Sequence, residues 1–190
     1  MTADKHDDDA TKWIIGEERL IDDSRRANLS IVHVELPDGV HFEQYVLRMP
    51  KASMVVVLDD AGENVLMIWR HRFIPDRWTW ELPGGYVDPT EDPAVTATRE
   101  VEEETGWHPR NLRLIGTFQP LAGTADFENL IFLSEGAQDT GKQVDINEAA
   151  RVEWLPLDSI LSMIDQGAII GAGAQIGLLR VLLRQGYKVR

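Results

Sequence analysis

Between Arg99 and Glu104 the chain carries an arginine followed by a dense run of carboxylates, Glu100-Val101-Glu102-Glu103-Glu104. At helical spacing, Glu100, Glu103 and Glu104 stand at i, i+3 and i+4 and share a face. Like charges crowded in this way repel one another and weaken an isolated helix. One reading is a solvated acidic face. The other is a seat for a hard cation, because Mg²⁺ takes carboxylate and carbonyl oxygens in octahedral geometry and reverses the sign of that repulsion. An ion held there would neutralise an anionic group beside it and make a bound water more acidic. The run by itself does not choose between the two.

The element that must position these carboxylates is a helix predicted over Pro93–Thr105. Asp92 supplies an N-cap, Pro93 suits the first helical turn, and Gly106 is a stop. Ala94, Ala97, Thr98, Val101 and Thr105 form a stripe roughly 100° wide. That small-residue face is expected to pack on a sheet while the carboxylates point elsewhere. Arg99 and Glu103 form an i,i+4 pair.

Read outward, the segment is Gly85-x5-Glu91-x7-Arg99-Glu100-Val101-x-Glu103-Glu104-x-Gly106-Trp107. It resembles the Nudix box, G-x5-E-x7-R-E-U-x-E-E-x-G-U with U bulky and apolar, at every specified position. A chance match is on the order of 10⁻⁹ per starting residue at ordinary residue frequencies. The wider resemblance runs from about Met54 to Arg184. It implies an α+β chain folded as an α/β/α sandwich with a mixed sheet, the box forming loop, helix and loop. It also implies hydrolysis of a nucleoside diphosphate linked to a second moiety X. Glu100 and Glu104 would then be the main Mg²⁺ ligands, Glu103 a further ligand or water-holder, and the Gly84 carbonyl an added donor, with Mn²⁺ an acceptable replacement. Gly85 and Gly106 would be structural positions of the motif, and Glu91 and Arg99 would orient helix and loop by ion pairing.

Outside the box the chain is similar to the ADP-ribose pyrophosphatase branch. That branch has an extra N-terminal β region, often exchanged between the subunits of a homodimer, and residues 13–50 with their Pro37-Asp38-Gly39 turn fit it. A basic element, Arg70-His71-Arg72-Phe73, precedes Glu81-Leu82-Pro83-Gly84-Gly85. Arg72 is the candidate phosphate contact, since a guanidinium fork matches phosphate oxygens. Trp78 or Trp80 would stack on a base; the alternative is a place in the core. After the box, the branch carries a loop whose Glu handles the catalytic water. Here that loop is Pro120–Glu128, and an ungapped match puts Phe127 at the expected Glu. Asp126 or Glu128 would substitute, or the base would lie in the box as Glu103.

The formal net charge is −13, from 32 acidic and 19 basic residues, so a nucleic-acid partner is disfavoured. A small nucleotide-diphosphate substrate meets the same repulsion and needs a metal or local arginines to enter. With no cysteine, disulfides and thiolate chemistry are excluded, and a cytoplasmic location is the default. No run of 18 apolar residues suggests a membrane span. Residues 1–12 read as a disordered acidic tail, 13–50 as the β region and 51–190 as the hydrolase domain. Strands are expected at Trp13–Ile21, Ile31–Leu36, Val40–Leu47, Met54–Leu58, Val65–Trp69, Leu112–Phe118, Leu130–Leu133 and Val152–Leu155. Two further helices are expected at Asp158–Gln166 and Ala174–Arg184. The Gly171–Gly177 stretch lacks the third glycine of a dinucleotide fingerprint and reads as a helix–helix connection. The rival to a hydrolase is a nucleotide-binding sensor without catalysis on the same fold; the intact carboxylates argue against it.

Overall fold

The structure is a computed structural model that describes residues 8–144 and 149–186. The acidic tail expected over 1–12 falls mostly on residues 1–7, outside the described residues; Asp8–Thr11 forms a single 3₁₀ turn. In chain order the strands are β1 (Ile14–Asp22), β2 (Asn28–Glu35), β3 (His41–Arg48), β4 (Ala52–Leu58), β5 (Asn64–Arg72), β6 (Arg77–Glu81) and β7 (Gly84–Tyr86). Helix α1 (Pro93–Thr105) follows, then β8 (Trp107–Pro109), β9 (Arg113–Phe118), β10 (Ala125–Asp126), β11 (Asn129–Glu135), β12 (Ala137–Asp139) and β13 (Arg151–Pro156). Helices α2 (Ile160–Asp165) and α3 (Ala172–Arg184) end the order. Two compact units result, Met1–Pro50 with Leu121–Phe127, and Lys51–Pro120 with Glu128–Arg190.

The first unit is an antiparallel meander of β1, β2 and β3, to which β10 adds in parallel beside β3. The β2–β3 turn closes where Gly39, at φ 82°, lets its N–H reach the Leu36 carbonyl. Every residue of the edge strand β1 is exposed, including Ile14, Ile15, Leu20 and Ile21.

The second unit is built on a mixed sheet in the order β13-β5-β4-β11-β9, with β6 paired to β5 and β7 to β4. Strand β4 is central and parallel to β11. Its run Met54-Val55-Val56-Val57-Leu58 does not alternate with polar residues, because both faces of the sheet are covered. Val55 and Val57 point into a core shared with Ala97 and Val101 of α1. Val56 and Leu58 point into the opposite core, with Leu178, Val181 and Leu182 of α3. The result is helix, sheet and helix in three layers. Glycines in α3 permit its close approach: a Cβ at Gly177 would lie 3.0 Å from Leu82 and 3.2 Å from Val56. The Gly171–Gly177 stretch is therefore not the helix–helix connection expected for it: Gly171 caps α3, and Ala172–Gly177 form its first turns, where the missing side chains serve packing. Among the described residues no helix is long and apolar enough to cross a membrane.

Candidate active site

Helix α1 begins where the Asp92 carboxylate accepts the Ala94 N–H at 2.8 Å, with Pro93 in the first turn. It ends at Gly106, whose φ of 77° turns its N–H back to the Glu102 carbonyl. These bounds set the phase of the helix. At about 100° per residue, Glu104 falls within roughly 60° of both Ala97 and Val101. It therefore lies on the packing face, 3% exposed, and not on the outward face expected for it.

A carboxylate buried in this way needs partners. One Glu104 oxygen accepts an Arg70 N–H at 2.9 Å, and the other accepts the Gly84 backbone N–H at 2.7 Å. The side chains of this ion pair are 15% and 4% exposed. Arg70 was not singled out from the sequence, yet a signal was there. Strand residues two apart share a face, so Arg70 looks the same way as Arg72.

Glu100 and Glu103 are held differently. One Arg99 nitrogen donates to both, at 2.9 Å each, and another donates to Glu91 at 3.5 Å. The Thr96 hydroxyl also donates to Glu91, tying the loop before α1 to the helix. Among the described residues no three carboxylate or imidazole groups converge as a ligand set; Arg70 and Arg99 draw the box carboxylates to separate cations. The donor chemistry nevertheless suits a hard divalent ion, and the loop admits it. A Cβ at Gly85 would lie 2.4 Å from the Glu100 carboxyl carbon, so glycine there lets Glu100 reach the same backbone that holds Glu104.

Arg72 grips Glu81 through contacts of 2.9, 3.1 and 2.5 Å. That hydrogen bonding lifts the guanidinium above its ordinary pKa, with Glu104 and Tyr86 adding to the effect. The fork has carboxylate geometry, which a phosphate would share. The tryptophans lie on the other face of the β5–β6 hairpin. Trp80 is opposite Trp69 and 7% exposed, part of the core with α3. Trp78 is half exposed, stacked on Trp69 with ring centres 6.0 Å apart. The Arg151 guanidinium lies 5.3 Å from the Trp69 ring centre and 5.2 Å from that of Trp80. Arg70 and Arg72 are thus brought to α1, and Trp78 and Trp80 are turned away from it.

The two loop carboxylates are also paired. Glu128 meets Lys51 at 2.5 Å within the larger unit. Asp126 meets Arg48 at 3.4 Å within the smaller one. The short parallel pairing of β10 with β3 gives Asp126 that environment, which local sequence did not reveal.

The family model described as the NUDIX domain matches residues 48–171. The chain belongs to the NUDIX family. It is 46% identical, over 90% of its length and 82% of the relative's, to a CMP-5'-(N-acetyl-N-hydroxy-3-aminopropyl)phosphonate hydrolase of Streptomyces rubellomurinus. It is 27% identical to an ADP-ribose pyrophosphatase of Bacillus subtilis, over 86% of this chain and 89% of that one. The fold matches a crystal structure of an ADP compounds hydrolase with a TM-score of 0.79 at 20% identity, covering 92% of this chain and 96% of the other. Membership makes the Gly85–Trp107 segment the box of a NUDIX hydrolase, and the three-layer arrangement is the NUDIX fold.

Proposed function

We propose that the protein hydrolyses the phosphoanhydride of a nucleoside monophosphate joined to a second phosphorus acid, releasing the nucleoside monophosphate and a phosphorylated or phosphonylated X. The observation that carries this reading is the gathering of Glu100 and Glu104 around the Gly84–Gly85 backbone, on the sheet face that also presents Arg70 and Arg72. Glu100, Glu103 and Glu104, with the Gly84 carbonyl, would hold Mg²⁺ or Mn²⁺. Bound there, the ion supplies charge neutralisation and a more acidic water. Arg72 would bind phosphate oxygens by exchanging its Glu81 carboxylate for them. Glu103 is the most exposed of the three carboxylates, its side chain 57% accessible against 18% for Glu100, so we assign it the proton of the attacking water. Glu128, beside Lys51, and Asp126, beside Arg48, are the alternatives for that role. Trp78 has the exposure to meet a base, whereas Trp80 serves packing. Substrates of this class are small cytoplasmic metabolites, and we place the protein there.

The relatives name two kinds of X. ADP-ribose is the substrate in the name of one, and a CMP-linked phosphonate in that of the other, more similar one. The test is a panel of ADP-ribose, NDP-sugars and a CMP-linked alkylphosphonate, with Mg²⁺ and then with excess EDTA. Release of CMP or AMP that EDTA abolishes is the expected result, with the CMP-linked compound turned over fastest. Tight binding of a panel member without turnover would replace the hydrolase by a nucleotide sensor.

Residues 13–50 are proposed to form a homodimer. Ile14, Ile15, Leu20 and Ile21 expose apolar surface along the edge strand β1, with Trp13 exposed just before it, and such surface marks an interface. Ile15→Asp combined with Leu20→Asp is expected to convert a dimer into a monomer in light scattering. An unchanged mass, whether monomer or dimer, would refute that assignment.

A further inference from the structure

We propose that Arg70 is a positioning residue that stands in for the metal cation at Glu104 whenever the site is unloaded. The inference rests on the reading of Glu104 as a metal ligand. Glu104 is 3% exposed, and an ionised carboxylate at that depth is costly without a counter-charge. Arg70 supplies one at 2.9 Å from a side chain itself 15% exposed. Of the neighbouring guanidiniums, Arg72 hydrogen-bonds to Glu81 while feeling the Glu104 charge, and Arg99 pairs with Glu91, Glu100 and Glu103, so Arg70 holds the direct ion pair described for Glu104. The second Glu104 oxygen is fixed by the Gly84 N–H at 2.7 Å. The carboxylate is therefore oriented and tied to both Arg70 and the Gly84 backbone before any cation arrives. A metal ion then takes over part of the compensation that Arg70 provides. An ordinary packing strut would matter equally with and without metal, whereas a stand-in cation matters most without it.

Thermal unfolding separates the two. In EDTA, Arg70→Met is expected to lower Tm by roughly 10 °C, because it removes the direct ion-pair partner of a buried carboxylate. Excess Mg²⁺ is expected to recover more than half of that loss. Adding Glu104→Gln to Arg70→Met is expected to recover it in EDTA as well, since a neutral amide needs no counter-ion and still accepts from Gly84. Mg²⁺ should leave the Tm of that double variant unchanged. Arg70→Lys, which keeps the charge, should fall between wild type and Arg70→Met. If Arg70→Met does not fold alone but folds with Glu104→Gln, the same conclusion follows. An equal loss with and without Mg²⁺, no recovery by Glu104→Gln, or failure of both variants to fold would make Arg70 a strut and overturn the proposal. Mn²⁺ binding, read by electron paramagnetic resonance on wild type and Glu104→Gln, checks the underlying reading separately. Equal affinity in those two proteins would remove Glu104 from the metal site, whatever the Arg70 variants do.

Discussion

Glu104→Gln is expected to lower kcat by on the order of 10³-fold, the scale of several kcal/mol of charge stabilisation that a well-held metal ion supplies. The amide has the shape of the carboxylate, and its oxygen can still accept a hydrogen bond from Arg70 or from Gly84. What is lost is the charge that would bind the ion. The fold is expected to persist, with Tm down by about 5 °C because Arg70 keeps a hydrogen-bond acceptor but loses its counter-charge. Steady-state turnover of the best panel substrate at saturating Mg²⁺, together with circular dichroism, measures both. Near-normal turnover would take Glu104 out of the metal site. A large loss of activity accompanied by a lost fold would leave the Arg70 pair, and not the metal, as its main function.

Gly84→Ala is expected to be almost as damaging, for a reason that lies in the sheet. A Cβ at Gly84 would sit 2.3 Å from the Ser53 carbonyl oxygen and 2.7 Å from the Met54 Cα. Those atoms belong to the backbone of the central strand β4 and cannot swing away as a side-chain end would. Strand β7 must therefore lift from β4, and the Gly84 N–H is carried off the Glu104 carboxylate. We expect Tm to fall by roughly 5–10 °C from overpacking, and activity to fall about 10²-fold from misplacement of the donors. Gly123→Ala is the control, since a Cβ there would meet nothing within 4 Å. Full activity in Gly84→Ala would show that the loop backbone has no part in positioning Glu104.

Much of this protein was legible in its sequence wherever the signal is local. The bounds of α1 follow from Asp92, Pro93 and Gly106, residues whose capping behaviour depends only on their immediate neighbours. The same holds for the Gly39 turn and for the apolar run of β4. The box spacing, from Gly85 to Trp107, carried the family and with it the fold and the hydrolase class. Helix α3 begins at Ala172, earlier than Ala174, and Gly173 lets that added start lie close to β4, since a Cβ there would sit 2.4 Å from the Met54 sulfur.

What the chain could not announce are the contacts made across long stretches of sequence. Strands β6 and β7 are short and rich in glycine and tryptophan, and they become strands only by pairing with β5 and β4. The hairpin register then sends Arg70 and Arg72 to one face and Trp78 and Trp80 to the other, since a pleated strand alternates its side chains. The acidic run itself announced three carboxylates and a charge problem. Only tertiary structure decided that Glu104 turns inward, because burial depends on which face of α1 meets the sheet, and that choice brought a partly buried arginine 34 residues away to its side.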